Sequence, residues 1–248
     1  MTLEAFFSEN ERIAIALSGG VDSAYLLWAA KHCGADVRAY YVKTEFQPEF
    51  EYEDAMRLVR ELGAGSRVLV SSVLNDEKVT ANREDRCYHC KKRIFSLIAA
   101  AAAEDGYMLV CDGTNASDDA GDRPGMRAIR ELRVRSPLRE CGLAKEEIRR
   151  LSKEAGLFTW DKPAYACLAT RIPAGETITK EKLIASEQAE TYLFSLGFSD
   201  FRVRQADGHA RIQIPAEDMA VLLEKREEIA GKLGPLFKSV SLDLEVRR

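Results

Sequence analysis

The chain has 248 residues, enough to bury a sizeable core in one large domain or two modest ones. Forty acidic against 36 basic side chains give a net charge of −4, and aromatics make up only 8% of residues, which argues against a dominant nucleic-acid surface. The acidic start from Met1 to Glu11 does not read as a signal peptide and no apolar run reaches membrane length, so a cytoplasmic protein without membrane association is expected.

Residues Thr2 to Asn10 read as a short amphipathic helix leading into the strand Ile13 to Leu17. That strand breaks into Ser18-Gly19-Gly20-Val21-Asp22-Ser23 and then into the helical pattern Ala24 to Ala30. Two glycines let the backbone approach an anion and take up left-handed torsions, two serines offer hydroxyls, and the helix start presents free amides. The stretch reads as a phosphate loop. It is neither a Walker A loop nor a dinucleotide Gly-x-Gly-x-x-Gly, and it carries no lysine, so neutralising charge must come from elsewhere.

A strand at Val37 to Val42 follows, then a helical face of Ala55, Leu58, Val59 and Leu62, and a strand at Arg67 to Ser71. Alternating strand and helix predicts an α/β fold with a parallel sheet covered on both faces. Leu74 to Asp85 is polar and irregular, and it leads to Cys87-Tyr88-His89-Cys90 at the start of a helix running to Ala103. The strand Met108 to Asp112 opens into the polar turn Gly113-Thr114-Asn115-Ala116-Ser117-Asp118-Asp119, at the strand edge where parallel sheets bind ligands. Arg123 to Arg127 reads as continuing loop, Val134 to Leu138 as extended, and Ile148, Leu151 and Ala155 as a helix.

Thr159 to Pro173, with two prolines and no periodicity, is expected to be a loop holding Lys162, Cys167 and Arg171. Beyond it the pattern changes. Thr179 caps a helix with an apolar stripe, Asp207-Gly208 joins two strands in a hairpin, one helix spans Met219 to Ile229, and Ser239 to Glu245 is a last strand. The expected division is a domain over 1–173 and a smaller α+β domain over 174–248. Arg202 and Arg204 alternate on one strand and so share a face, which could hold a substrate phosphate or simply be solvated.

Six cysteines without a secretion signal point to thiols, metal ligands or catalytic groups rather than a disulfide framework. Cys87 and Cys90 have a spacing that lets both thiolates face one ion. Three thiolates, with Cys167, could hold a [4Fe-4S] cluster with one iron open, whereas a redox pair, a zinc half-site or two buried thiols remain alternatives for the Cys-x-x-Cys pair. Cys33, Cys111 and Cys141 read as small buried hydrophobes.

The phosphate loop resembles that of the PP-loop ATP pyrophosphatases. Together with Asp112 to Asn115, Asp118 and Asp119, Arg123 to Arg127, Arg135 to Leu138, Trp160 to Pro163 and Cys167 to Arg171, it makes the chain resemble the LarE-type ATP-dependent sulfur transferases. That resemblance implies adenylation of pyridinium-3,5-biscarboxylic acid mononucleotide by ATP and Mg²⁺, then sulfur transfer, on the way to the nickel-pincer nucleotide cofactor. It implies phosphate and Mg²⁺ contacts from Ser18, Gly19, Gly20, Asp22 and Ser23, and a nucleotide site lined by Asp112, Gly113 and Thr114. Arg127, Lys162 and Arg171 are candidates for the missing positive charge, with Asp22, Lys162, Arg171 and Cys167 at the chemistry and Arg202 and Arg204 on the substrate.

In the single-cysteine form of that family the residue matching Cys167 gives up its own sulfur. The three-cysteine form is understood to hold a [4Fe-4S] cluster, and Cys87, Cys90 and Cys167 match it. Expected partners are the nucleotide substrate, a sulfide or sulfur-carrier donor, and other copies of the chain in a homo-oligomer, but neither a membrane nor nucleic acid. The rival reading is a tRNA thiolase with the same loop. A nucleotide-binding regulator without turnover is the reading from another class.

Overall fold

The computed structural model describes residues 1–118 and 124–247. Thr2 opens α1 (Leu3–Glu9) by accepting the Ala5 amide on its hydroxyl. Strand and helix then alternate through β1 (Arg12–Ala16), α2 (Val21–His32), β2 (Asp36–Lys43), α3 (Glu49–Glu61) and β3 (Gly65–Val70). After the short α4 (Glu77–Thr80) and the long α5 (Arg86–Glu104) comes β4 (Leu109–Cys111). The four strands form one parallel sheet in the order β3-β2-β1-β4.

The period-two geometry of a strand sends alternate side chains to opposite faces, and both faces here are covered. Ile13 and Ile15 of β1 pack with Leu26, Leu27 and Leu58 on one side. Ala14 between them packs with Tyr40, Phe95 and Ile98 on the other. All three β1 residues are fully buried, so the central strand reads as a continuous apolar run.

Three local expectations are corrected. Arg123 lies outside the described residues, but Pro124 opens a helix, α6 (Pro124–Glu131), where a loop was expected; proline's fixed φ suits a first helical position. Arg135 bridges Cys111 as a parallel pairing, after which the expected extended stretch turns into α7 (Pro137–Glu140). The helix α8 (Lys145–Glu154) follows. Farther on, Lys225 separates α10 (Ala216–Glu224) from α11 (Arg226–Leu233), where one helix was expected.

The chain divides into two compact units, Met1–Ser72 with Asp85–Tyr165, and Val73–Glu84 with Ala166–Arg248. Within the second unit, hydrogen bonds join Val73–Glu84 to residues 173–178. Thr80 O accepts the Ile178 amide at 2.8 Å, Asn82 O accepts the Gly175 amide at 2.9 Å, and Asn82 Nδ2 donates to Pro173 O at 2.7 Å.

In the second unit a 3-10 turn at Leu168–Arg171 precedes α9 (Lys180–Ser195), which Thr179 caps. β5 (Arg202–Ala206) and β6 (His209–Gln213) form an antiparallel hairpin, and β7 (Ser239–Leu242) joins β6 in parallel. Asp207 and Gly208 at the hairpin tip both have positive φ, at 51° and 82°, as a tight two-residue turn demands. Leu193, Phe201, Val203, Ile212, Ile229 and Leu233 fill this unit's own core. Among the described residues no helix is long and apolar enough to cross a membrane.

Candidate active site

The phosphate loop leaves β1 and closes on itself before α2 begins. Ser18 Oγ and Ser23 Oγ lie 3.0 Å apart, Ser18 N donates to Ser23 Oγ at 3.2 Å, and Ser23 Oγ donates to Gly20 O at 3.2 Å. Gly19 has φ +81°, and a Cβ there would stand 2.7 Å from Glu51 O, so only glycine fits without displacing α3. Gly20 is the N-cap of α2 and lends no side chain, which leaves the first-turn amides facing outward for an anion.

The loop after β4 reaches the same place. Gly113 approaches so closely that a Cβ would meet Ser23 N at 2.8 Å. Asp112 is buried and shapes this loop: its Oδ1 accepts Ser136 Oγ at 2.7 Å, and its Oδ2 accepts Thr114 Oγ1 at 2.6 Å. Asn115 Nδ2 donates to Asp22 Oδ1 at 3.2 Å. Thus the carboxyl ends of adjacent strands β1 and β4 bring Ser18, Gly19, Gly20, Asp22, Ser23, Asp112, Gly113 and Thr114 together, in the position where parallel sheets take ligands. Asp118 accepts the Asn115 amide at 2.8 Å, while Asp119 lies outside the described residues.

Two lysines supply charge to this edge. Lys162 Nζ donates to Gly19 O at 3.1 Å and to Asp54 Oδ2 at 2.6 Å, and Arg149 steadies its loop by donating to Trp160 O at 2.6 Å and Lys162 O at 2.8 Å. Lys145 Nζ donates to Asp22 Oδ2 at 2.5 Å. Sequence reasoning missed Lys145, Asp54 and Arg149. Each is an ordinary charged residue on a helix with no motif around it, and only tertiary folding brings it to the loop. Arg127, by contrast, has its described partners on Tyr88, 3.9 Å from the ring centroid, and Glu131 of α6.

In the second unit Cys167 begins the 3-10 turn, half-buried, and its carbonyl accepts the Thr170 amide at 2.9 Å. Arg171, read from the sequence as a phosphate contact, is 1% exposed and paired with Glu190 of α9 at 2.6 and 3.0 Å. Arg202 and Arg204 differ in setting despite their parity. Arg202 is buried and donates to Phe201 O at 2.6 Å, whereas Arg204 is exposed and donates to Gln213 Oε1 at 2.6 Å and Thr170 O at 3.1 Å. Arg204 lines a cleft of about 420 Å³ with Arg171, His209, Arg211 and Ser241. Partial burial, then the neighbouring charges of Arg171 and Arg211, push its pKa below the usual guanidinium value. That crowding of like charge favours an anionic occupant.

Cys87 and Cys90 lie in the first turns of α5, three residues apart and therefore on one face; Cys87 is exposed, Cys90 half-buried, and Arg86 Nη2 is 3.5 Å from Cys87 Sγ. Among the described residues no three His, Cys, Asp or Glu side chains are grouped to hold a metal ion. Cys111 is fully buried as expected, and burial pushes its thiol pKa up. Cys141 is half-buried. Cys33, the C-cap of α2, is exposed, against the expectation of a buried hydrophobe.

No protein-family model matches the chain. It is 38% identical over 250 residues to an uncharacterised protein of Synechocystis sp., covering 98% of this chain and 92% of that one. It is 35% identical over 246 residues to the pyridinium-3,5-bisthiocarboxylic acid mononucleotide synthase of Lactiplantibacillus plantarum, covering 98% and 89%. A tRNA-specific 2-thiouridylase of Thermotoga sp. is 24% identical over 193 residues, 61% of this chain and 54% of that one. Likeness over nearly the whole length to the synthase, on a parallel sheet carrying the glycine-serine phosphate loop, places the chain in a family: it belongs to the LarE-type ATP-dependent sulfur transferases of the PP-loop superfamily.

Proposed function

We propose that the protein uses ATP to adenylate a carboxylate of pyridinium-3,5-biscarboxylic acid mononucleotide and then inserts sulfur, as a step toward the nickel-pincer nucleotide cofactor. The observation that carries this reading is the junction at Ser23, where the phosphate loop and the Asp112 to Asn115 loop meet at one sheet edge with two lysines beside them. A relative that covers nearly the whole chain bears the name of the matching bisthiocarboxylic acid synthase.

The chemistry asks for two displacements. A substrate carboxylate oxygen attacks the α phosphorus, the bond to the bridging oxygen breaks, and pyrophosphate leaves. A sulfur nucleophile then attacks the acyl carbon, and AMP leaves with the former carboxylate oxygen. The first step needs the pyrophosphate charge met by the α2 amides, Ser18, Ser23 and Lys162, with Asp22 as the carboxylate for Mg²⁺. Asp112, Gly113 and Thr114 bound the nucleotide. The exposed Arg204, in its arginine-lined cleft, is the substrate-phosphate contact, whereas Arg202 and Arg171 serve by building the turn and strand around it.

For the sulfur step the ligand set is Cys87, Cys90 and Cys167. The first two suit a cluster through their shared face at the start of α5. Held by these three thiolates, a [4Fe-4S] cluster would supply the sulfide for the transfer. In the alternative, Cys167 donates its own sulfur once and no cluster forms. The sulfur source is sulfide or a sulfur carrier, and the working form is a homo-oligomer.

Two measurements test this. Pyrophosphate should be released from ATP only when the biscarboxylated nucleotide is present; release at the same rate without it, or none with it, rejects the adenylation. Protein purified without oxygen should hold about four irons per chain, lost in Cys87→Ala, Cys90→Ala and Cys167→Ala. Iron-free wild type that transfers one sulfur per chain would assign the donor role to Cys167.

A further inference from the structure

The geometry points to Lys145 as a pyrophosphate-binding residue that is stored on Asp22 until Mg²⁺ takes that carboxylate. The inference rests on the adenylation reading above and adds a ligand that neither the loop motif nor its neighbours supply.

Lys145 is the first residue of α8, where a cation opposes the helix dipole and Glu146 and Glu147 already supply the favourable charge. Helix stability therefore does not explain a lysine there. Its amide donates to Ser117 Oγ at 2.9 Å, which fixes the backbone against the turn after β4. Its ammonium reaches Asp22 in the first turn of α2, and the side chain is 32% exposed, so the flexible stem is free to re-aim. One turn along the same helix, Arg149 holds the loop of Lys162, whose ammonium also touches the phosphate loop. One helix thus governs both cations at an anion cradle that has none of its own.

Mg²⁺ at the Asp22 carboxylate would set a second cation against Lys145 Nζ and compete with it for the carboxylate's charge. When Mg²⁺ binds Asp22, the ammonium is released within reach of the α2 amides, where the β and γ phosphates would lie. The consequence is mutual: Lys145 prevents an uncompensated carboxylate before ATP arrives and meets the leaving pyrophosphate afterwards.

Calorimetric titration of the whole protein with magnesium pyrophosphate, and separately with AMP, tests the assignment. Lys145→Ala should lose roughly tenfold to hundredfold in pyrophosphate affinity, the range of a charge-assisted hydrogen bond, and keep its AMP affinity; Lys145→Arg should recover most of the loss. Lys145→Gln serves if the alanine variant does not fold. Without Mg²⁺, Asp22→Asn should bind pyrophosphate more tightly than wild type, and adding Lys145→Ala should remove that gain. Unchanged pyrophosphate affinity in the Lys145 variants, with wild type binding both ligands, overturns the inference and leaves the adenylation reading standing. Wild type that binds neither pyrophosphate nor AMP overturns both.

Discussion

Glu190 holds three donors on two oxygens: Arg171 Nε and the Val203 amide on Oε1, at 2.6 and 2.8 Å, and Arg171 Nη2 on Oε2 at 3.0 Å. Both charged groups are essentially inaccessible to water, so neither tolerates loss of the other. Glu190→Ala would leave a buried guanidinium and a strand amide without their acceptor. Urea unfolding of the second unit should show a loss of about 3–5 kcal/mol, and a change within 0.5 kcal/mol, about the scatter of surface substitutions, would disprove the role. None of this was legible from the sequence, where Arg171 stood close to Cys167 and invited a reading as positive charge for the α phosphate. Sequence order gives a residue's neighbours along the chain but not the burial of its head group. The same blindness covers Lys145, which reaches Asp22 of the phosphate loop from 123 residues away.

Elements were legible where their causes are local. The phosphate loop is a strand, two glycines and a helix start in unbroken succession, and the hairpin at Asp207-Gly208 is set by two residues with positive φ. Misreadings came where a short segment is governed by what it meets. Val134 to Leu138 has an extended pattern, yet only Arg135 pairs with Cys111 before α7 begins. Glu140 at the end of α7 secures that turn, accepting Arg135 Nε at 2.8 Å and the Ser136 amide at 3.1 Å. The hydrogen bond from Arg135, more than any other cause, holds the Glu140 carboxyl below its ordinary pKa. A depressed carboxylate stabilises the fold above its unfolded pKa and ceases to do so as pH falls through its folded one. Wild type should therefore exceed Glu140→Gln in unfolding free energy by roughly 0.5–1 kcal/mol near pH 7, with the gap closing below about pH 4. A gap that stays constant down to pH 3 would show that packing, not charge, is responsible.

At the scale of the whole molecule, the net charge of −4 bears on the choice between a nucleotide substrate and RNA. The thiouridylase likeness covers 61% of the chain, so a shared loop alone does not settle what is thiolated. An RNA-binding surface that neutralises six or more phosphates loses several orders of magnitude in affinity as salt rises, and it needs basic side chains in excess to do so. Here acids outnumber bases, and many arginines are already paired, among them Arg67 with Glu104, Arg150 with Glu147 and Glu154, and Arg247 with Asp200. The arginine-lined cleft of about 420 Å³ in the second unit suits one phosphate group on a small molecule rather than a run of backbone phosphates. Bulk tRNA should consequently fail to shift the protein in a gel at about 150 mM salt, the ionic strength at which surface charges are screened beyond roughly 8 Å. AMP and the pyridinium nucleotide should still bind under those conditions. A stable tRNA complex at that salt, weakening steeply as salt is raised further, would transfer the sulfur-transfer chemistry to an RNA substrate and overturn the nucleotide assignment.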